Sequence, residues 1–189
     1  RLRSRGLGDV YKRQELARKG EAAAKTMAGY TEEQIDRILK SMVKAAEEHA
    51  ACLAEMAVEE TGFGKALDKT YKNHAAATLL YDDIKDMKTV GIIDEDKARG
   101  TLDVAHPAGL VMGIVPSTNP TSTVIYKSMI AVKAGNAIVF SPHPSAAKCT
   151  LKAAEVMRDA AVAAGAPEGV ISCITMPTMG ATNELMHCK

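Results

Sequence analysis

The sequence contains no tryptophan and only two phenylalanines among its 189 residues, so few large aromatic side chains are available for a core. Hydrophobic residues still make up 47% of the chain, which is ordinary for a globular domain. The core must therefore be built mainly from Ala, Val, Ile, Leu and Met. The length suffices for one domain with a substantial core, or for part of a larger protein.

Long apolar runs and paired cysteines are also missing. No run approaches the roughly 18 consecutive apolar residues that a membrane span needs, and no signal peptide is visible. The cysteines are far apart and form no C-x-x-C pair; they are Cys52, Cys149, Cys173 and Cys188. This spacing argues against a zinc site or a disulfide framework, and it favours a reducing, cytoplasmic compartment. We expect no bound metal.

A basic face is missing once the N-terminus is set aside. Residues 1–14, RLRSRGLGDVYKRQ, hold five of the 24 basic side chains and one of the 23 acidic ones. The remainder of the chain therefore carries 19 basic and 22 acidic side chains. The segment has no initiator methionine and no clear amphipathic period, and it resembles a translated sequencing adaptor. A nucleic-acid arm or a transit peptide would be the alternative. We predict a non-native leader over 1–14, no nucleic-acid partner and no membrane partner.

The first half of the remaining chain has helical periodicity. Its apolar positions recur with the spacing of an amphipathic helix at Ile35, Ile38, Leu39, Met42, Val43, Ala46 and Leu53. Thr31 followed three residues later by Gln34 is typical of a capping box, and Gly62 is typical of a helix end. A second helix is predicted from about Lys65 to Asp86. The glycine-rich GFGKAL between the two helices does not follow a strand, which favours a linker.

From about residue 100 the pattern changes to strands that alternate with helices. TLDVA (101–105) alternates like a half-exposed strand. Three further strands are predicted, GLVMGIV (109–115), NAIVF (136–140) and GVISCIT (169–175), and the first two are predicted to be buried. GLVMGIV in particular has no polar alternation, which predicts burial on both faces. Crossovers of about 20 residues between such strands indicate an α/β fold with a parallel sheet.

The loop behind GLVMGIV is rich in small polar groups. VPSTNPTSTVIYK (115–127) places Asn119 directly before Pro120, which fits an N-cap followed by the first helical position. Ligands of parallel sheets also bind where strands end and helices begin, and there a fixed amide N–H can stabilise an oxyanion. Both interpretations stay open on spacing alone. The common nucleotide, serine-nucleophile and zinc motifs are absent from the sequence.

The block from Pro107 to Pro144, PAGLVMGIVPSTNPTSTVIYKSMIAVKAGNAIVFSPHP, resembles the nucleotide-domain core of the aldehyde dehydrogenase superfamily. The similarity extends from about Glu15 to Lys189. More narrowly, the block resembles CoA-acylating enzymes of the acetaldehyde dehydrogenase type. These occur alone or as the N-terminal half of bifunctional aldehyde–alcohol dehydrogenases. Two departures from the hydrolytic enzymes point to this branch: the loop has no tryptophan before Asn119, and Ser141 stands in place of a lysine.

The resemblance implies a Rossmann-type nucleotide domain and the NAD-dependent, reversible conversion of a short aldehyde and CoA to acyl-CoA. A cysteine thiolate attacks the aldehyde in this family, and the loop asparagine, here Asn119, holds the resulting oxyanion. The residues that the resemblance places at the cofactor are Val115, Pro116, Ser117, Thr118, Ser141, Pro142 and His143. His143 lies between two prolines, which fits a rigid turn equally well.

The nucleophilic cysteine of the family has no counterpart among the four cysteines, so we expect it beyond Lys189. We therefore expect an N-terminal fragment, with helices over 15–90, a bridging strand over 100–106 and part of an open nucleotide-binding sheet over 107–189. Such a fragment would be inactive alone. A hydrolytic aldehyde dehydrogenase and a non-catalytic assembly subunit remain alternatives. The resemblance also implies a homo-oligomer, located in the cytoplasm or in a bacterial microcompartment.

Overall fold

The computed structural model describes residues 2–175 and residue 186, and the side chains of residues 14–175 and 186. The first half is helical, with α1 at Leu2–Met27, α2 at Glu32–Glu48, α3 at Ala50–Thr61, α4 at Ala66–His74 and α5 at Leu80–Ile84. The second half contains β1 at Gly91–Asp96, β2 at Thr101–Ala105, β3 at Leu110–Val115, α6 at Pro120–Lys133, β4 at Ala137–Pro142, α7 at Ala147–Ala163 and β5 at Ile171–Cys173. None of the helices within these described ranges combines the length and the hydropathy that crossing a bilayer requires.

The backbone of residues 2–13 is helical and continuous with the rest of α1. Further along the helix, Ala17, Ala23, Ala24 and Met27 are buried against the remainder of the fold. The prediction that residues 1–14 form a non-native leader is not decided by this backbone conformation, and it stays a prediction.

The predicted capping box at the start of α2 is confirmed. The backbone N–H of Gln34 donates to Thr31 Oγ1 at 3.4 Å, and the N–H of Thr31 donates to Gln34 Oε1 at 2.9 Å. The prediction of one helix reaching Gly62 is wrong, because the chain leaves helical geometry at His49, with φ −104° and ψ 2°. The carbonyl oxygen of Ala45 lies at this break, where it accepts the backbone N–H of His49 at 3.1 Å and has the ring nitrogen Nδ1 of His49 at 2.8 Å. Gly62 ends α3 in the left-handed conformation, as predicted.

The helix predicted over 65–86 is also confirmed, with one irregularity. The segments α4 and α5 are joined by a π-helical turn over Ala75–Leu79, so the helical path is unbroken from Ala66 to Ile84. A π-helical turn inserts an extra residue into an α-helix and changes which side chains face the core. The apolar periodicity of the sequence does not show this turn.

The main sheet is parallel, with the strand order β3-β4-β5 among the described residues. The helices α6 and α7 make the two crossovers, and they pack together on one face. Ile138 and Phe140 of β4 belong to the main core on that face, whereas Val139 points to the other face and packs against Ala17 of α1. This arrangement of helices on both faces of a parallel sheet confirms the predicted α/β fold.

The predicted burial of the sheet is right for β4 and wrong for β3. Every residue of β4 is buried, and the strand continues to Pro142, two residues beyond the predicted end. In β3, Ile114 is 55% exposed, and Leu110–Met112 are only partly buried. The reason is position, because among the described strands β3 has a neighbour on one side only.

A separate two-stranded antiparallel sheet follows the helical part and precedes the main sheet along the chain. The strand β2 was predicted, but its partner β1 was not. GIIDED carries three acidic residues and lacks a buried face, so its composition gives little indication of a strand. The exposed apolar side chains of this hairpin are Ile92, Ile93, Leu102 and Val104.

Candidate active site

The two polar segments singled out in the sequence lie side by side. Val115 ends β3 and pairs in register with Pro142 at the end of β4. The backbone N–H of His143 then donates to the carbonyl oxygen of Val115 at 3.1 Å. Both loops therefore leave the same carboxyl edge of the parallel sheet, where α/β proteins of this kind bind ligands.

Asn119 is the last residue before α6, but its side chain does not cap the helix. Its backbone oxygen accepts hydrogen bonds from the N–H of Thr123 at 3.2 Å and from Thr123 Oγ1 at 2.6 Å. Its side-chain oxygen Oδ1 accepts a hydrogen bond from Lys72 Nζ at 3.1 Å instead of a helix N–H. The interpretation of Asn119 as an N-cap is thus correct for its position and wrong for its side chain. This half-buried amide is available for other chemistry.

The residues before Asn119 form a small, partly open loop. Val115 is buried, Ser117 is half-buried, and Pro116 and Thr118 are exposed. The carbonyl oxygen of Thr118 accepts a hydrogen bond from Lys69 Nζ at 2.6 Å. The loop is therefore fixed from the side of α4, an element that the sequence analysis did not connect with it.

Lys69 is unusual for a lysine because only 5% of its surface is exposed. Burial lowers the pKa of its ammonium group, and the neighbouring positive charge of Lys72 lowers that pKa further. The K-x-x-K spacing places the two lysines on one face of a helix, which the sequence could have shown. The loop that they bind could not have been identified from that spacing.

Asn73 anchors α4 next to this loop. Its side chain is fully buried, and its Nδ2 donates to the carbonyl oxygen of Ala50 at 2.9 Å. Its Oδ1 accepts a hydrogen bond from Thr121 Oγ1 at 2.9 Å. Both ends of this amide are therefore bonded, one to α3 and one to the first turn of α6. The position of α4 relative to the start of α6 is fixed by these bonds.

The three residues predicted to contact the cofactor from β4 differ in accessibility. Ser141 and Pro142 belong to the strand and are buried, whereas His143 is exposed at the start of a short 3₁₀ turn. The backbone N–H of Ser145 donates to His143 Nδ1 at 3.2 Å. Ser145 Oγ lies 2.7 Å from the same nitrogen, so Nδ1 is engaged by the turn. His143 therefore supports the turn through Nδ1, which agrees with the structural interpretation, and its predicted cofactor contact stays a prediction.

The N-terminus of α7, next to this turn, is occupied by a side chain. Glu60 of α3 accepts hydrogen bonds from the N–H groups of Lys148, at 2.9 Å, and Cys149, at 2.7 Å. Burial alone would raise the pKa of Glu60, but these N–H donors outweigh it and the pKa is lowered. The carboxylate takes the place that an anionic ligand could otherwise use at this helix end.

The buried cysteines do not provide a reactive thiolate. Cys149 and Cys173 are buried, and burial raises the pKa of each thiol to about 12, with Glu60 adding to the effect at Cys149. Cys52 is exposed on α3, and its Sγ donates to the carbonyl oxygen of His49 at 3.2 Å. Cys188 lies outside the described residues. Residues 14–175 and 186 also contain no cluster of three or more His, Cys, Asp or Glu side chains suited to a metal.

A parallel sheet whose polar loops leave its carboxyl edge places this chain among the α/β proteins that bind ligands at that edge. The sequence model of the aldehyde dehydrogenase family matches residues 8–189, and the chain belongs to this family. The chain is 46% identical over 172 residues to the bifunctional aldehyde-alcohol dehydrogenase of Escherichia coli K12, which covers 91% of this chain and 19% of that protein.

Two solved structures show the same similarity. An acetylating aldehyde dehydrogenase from Geobacillus thermoglucosidasius matches with a TM-score of 0.95 and 57% identity, covering 97% of this chain and 40% of that one. The propionaldehyde dehydrogenase of Rhodopseudomonas palustris with bound CoA matches with a TM-score of 0.79 and 27% identity, covering 95% and 40%. The chain therefore spans about a fifth of the bifunctional relative and two fifths of these structures.

Proposed function

We propose that the gene product that carries this chain is a CoA-acylating aldehyde dehydrogenase. It oxidises a short aldehyde with CoA and NAD to acyl-CoA and NADH, reversibly. The observation that carries the proposal is the amide of Asn119, which sits at the carboxyl edge of the sheet and is not used as a helix cap. The similarity to the acetylating aldehyde dehydrogenase from Geobacillus thermoglucosidasius supports the choice of this branch over the hydrolytic one.

The residues at the carboxyl edge are chemically suited to a nicotinamide dinucleotide. The hydroxyl groups of Ser117 and Thr118 and the ring nitrogen Nε2 of His143 can form hydrogen bonds with the hydroxyls of a ribose. The predicted cofactor contacts of Val115, Pro116, Ser141 and Pro142 belong to the same proposal. Pro116 is exposed, and the other three residues are buried at the ends of the strands. NAD, when bound, accepts the hydride of the aldehyde carbon.

Asn119 contributes to the chemistry by donating from Nδ2 to the oxyanion that forms when a cysteine thiolate adds to the aldehyde. A donor fixed before the reaction stabilises this charge without reorganisation at the time of reaction. The thiolate comes from a cysteine other than Cys149 and Cys173, whose raised pKa values keep them protonated at neutral pH. CoA then takes the acyl group from the resulting thioester. The CoA bound to the Rhodopseudomonas relative supports CoA as this acceptor.

The test measures NADH absorbance with the purified gene product, acetaldehyde and NAD, in the presence and absence of CoA. We expect NADH formation that depends on CoA, with acyl-CoA as the product. Free acid formed without CoA would identify a hydrolytic enzyme. Folded protein that binds neither substrate and forms no NADH would identify a non-catalytic assembly subunit.

We also propose that the hairpin of β1 and β2 joins two copies of the protein. An isolated two-stranded hairpin is only marginally stable in water, and this one exposes Ile92, Ile93, Leu102 and Val104. A second copy would cover these side chains and extend the pairing. Light scattering should show an oligomer that Leu102→Glu dissociates and that the matched change Asp103→Glu leaves intact. A monomeric parent protein would refute this proposal.

We also propose that the protein is located in the cytoplasm, free or inside a bacterial microcompartment. Three described cysteines are unpaired, which suits a reducing cytoplasm. Enclosure in a bacterial microcompartment would appear as co-sedimentation of the protein with shell proteins in cell fractionation.

A further inference from the structure

We propose that Lys72 is a positioning residue that orients the amide of Asn119 for catalysis; the proposal rests on the function proposed above. An asparagine amide can rotate so that either its oxygen or its nitrogen faces a given group. Lysine only donates hydrogen bonds, so the Asn119 atom that lies 3.1 Å from Lys72 Nζ must be the oxygen Oδ1. Nδ2, with its two N–H donors, then faces away from α4.

A competing arrangement of the same side chain explains why such a residue is needed. Asn119 occupies the N-cap position of α6, and an asparagine there ordinarily accepts a hydrogen bond from an N–H of the first helical turn. That bond would turn the oxygen toward the helix and carry Nδ2 with it. Lys72 holds Oδ1 instead, so the capping arrangement is replaced by one that leaves Nδ2 free to donate.

The backbone around Asn119 is held by hydrogen bonds that do not involve Lys72. Lys72 therefore controls only the rotation of the Asn119 side-chain amide. Thr123 binds the backbone oxygen of Asn119, and Lys69 binds the carbonyl oxygen of Thr118. Asn73, the next residue after Lys72, is bonded to both α3 and α6. Lys72 therefore projects from a helix whose position is fixed relative to the loop.

The positive charge of Lys72 adds to the effect. A cation bonded to the amide oxygen polarises the amide and strengthens its N–H groups as donors. A stronger donor stabilises the reacting group most where negative charge develops on it. That charge develops in the transition state and not in the bound aldehyde. Loss of Lys72 should consequently affect kcat more than the KM for NAD.

The experiment is a double-mutant cycle in the gene product that carries this chain. We expect Asn119→Ala to lower kcat roughly 10²- to 10³-fold, as loss of an oxyanion donor does. Lys72→Met should lower kcat roughly 10- to 100-fold, with the KM for NAD unchanged, and Lys72→Arg should restore most of the activity because it keeps the charge and the donors. In the Asn119→Ala background, Lys72→Met should have little further effect. Lys40→Met, which removes an exposed lysine of α2, is the matched control and should leave kcat unchanged.

Crystal structures of the parent and the Lys72→Met variant give a readout that does not depend on activity. We expect the Asn119 oxygen to turn toward the first turn of α6 when Lys72 is lost. An unmoved amide, full activity of Lys72→Met, or an equal loss in both backgrounds of the cycle would each overturn the proposal. A parent enzyme without CoA-dependent NADH formation would instead refute the proposed function, and the crystal structures would then still decide the orientation of the amide.

Discussion

At the scale of single residues, Gly113 in the middle of β3 shows how closely the sheet is packed. It is the register partner of Phe140 on β4. A Cβ atom at Gly113 would lie 2.7 Å from Cδ1 and 2.8 Å from Cε1 of the Phe140 ring. Phe140 is the largest fully buried side chain of the described core, so the ring has no free space into which it could move. Gly113 is therefore required by its neighbour and not by its own backbone conformation.

We predict that Gly113→Ala lowers the free energy of unfolding by about 1–3 kcal/mol, which is the usual cost of overpacking a core. Urea unfolding followed by circular dichroism measures the change. Gly29→Ala is the matched control, because the nearest atom to its new Cβ would be 3.6 Å away. The control should change the stability by no more than about 0.5 kcal/mol. Equal stability of the two variants would show that Phe140 adjusts at no cost.

The candidate site also shows what a sequence can predict about single residues. The position of Asn119 in the loop between β3 and α6 follows from the apolar run before it and from Pro120 after it. The partner of its amide does not follow, because Lys72 is 47 residues away and belongs to a helix with no apparent link to the sheet. Local pattern predicts which residue stands at a site. Tertiary packing decides what that residue bonds to.

At the scale of elements, the N-terminus of α7 is capped by a carboxylate from another helix. Glu60 accepts the N–H groups of Lys148 and Cys149, which would otherwise lack partners at the helix start. The same bonds lower the pKa of Glu60 against the opposing effect of its burial. A carboxyl group with a lowered pKa in the folded state stabilises that state above its unfolded pKa of about 4.3, and the contribution is lost as the pH falls through the folded pKa.

We predict that Glu60→Gln lowers the free energy of unfolding at pH 7 by about 1–2 kcal/mol, because a neutral amide replaces a charged acceptor. The difference from the parent should begin to shrink as the pH falls below the ordinary glutamate pKa of about 4.3, and it should disappear once the pH is below the lowered pKa of the folded carboxyl group. Denaturant unfolding at a series of pH values measures both effects. Glu59→Gln, an exposed neighbour on α3, serves as the control. A difference that does not depend on pH would contradict the assigned role of the charge.

The elements also differ in how well the sequence predicts them. The capping box of α2, the parallel strands and their crossover helices follow from periodicity, since each has a strong local pattern. The strand β1 was missed because its stability comes from pairing with β2 and not from a buried face of its own. The break at His49 was missed because the apolar stripe continues through it, and only the backbone changes direction.

At the scale of the whole molecule, the proposed oxyanion donor Asn119 is not accompanied by an ionised thiol among the buried cysteines of the described residues. A thiol with a pKa of about 12 is ionised in only about one molecule in 10⁵ at pH 7, which applies to Cys149 and Cys173. Cys52 is exposed on α3, where its thiol bonds to the backbone of its own helix. The two buried thiols therefore do not supply the thiolate that attack on an aldehyde requires.

We therefore predict that residues 1–189, expressed alone, form no NADH from an aldehyde, NAD and CoA. Covalent catalysis requires a thiolate within bonding distance of the aldehyde carbon, and proximity supplies much of the rate of such enzymes. Weak nucleotide binding at the carboxyl edge of the sheet is compatible with this result, because the loops after β3 and β4 are both in place. The measurement is absorbance at the NADH band with the purified chain, and the gene product that carries the chain is the positive control. An aldehyde- and CoA-dependent rise that disappears when Cys52, Cys149, Cys173 or Cys188 is changed to serine would show that the nucleophile lies within these residues. We expect no rise in absorbance.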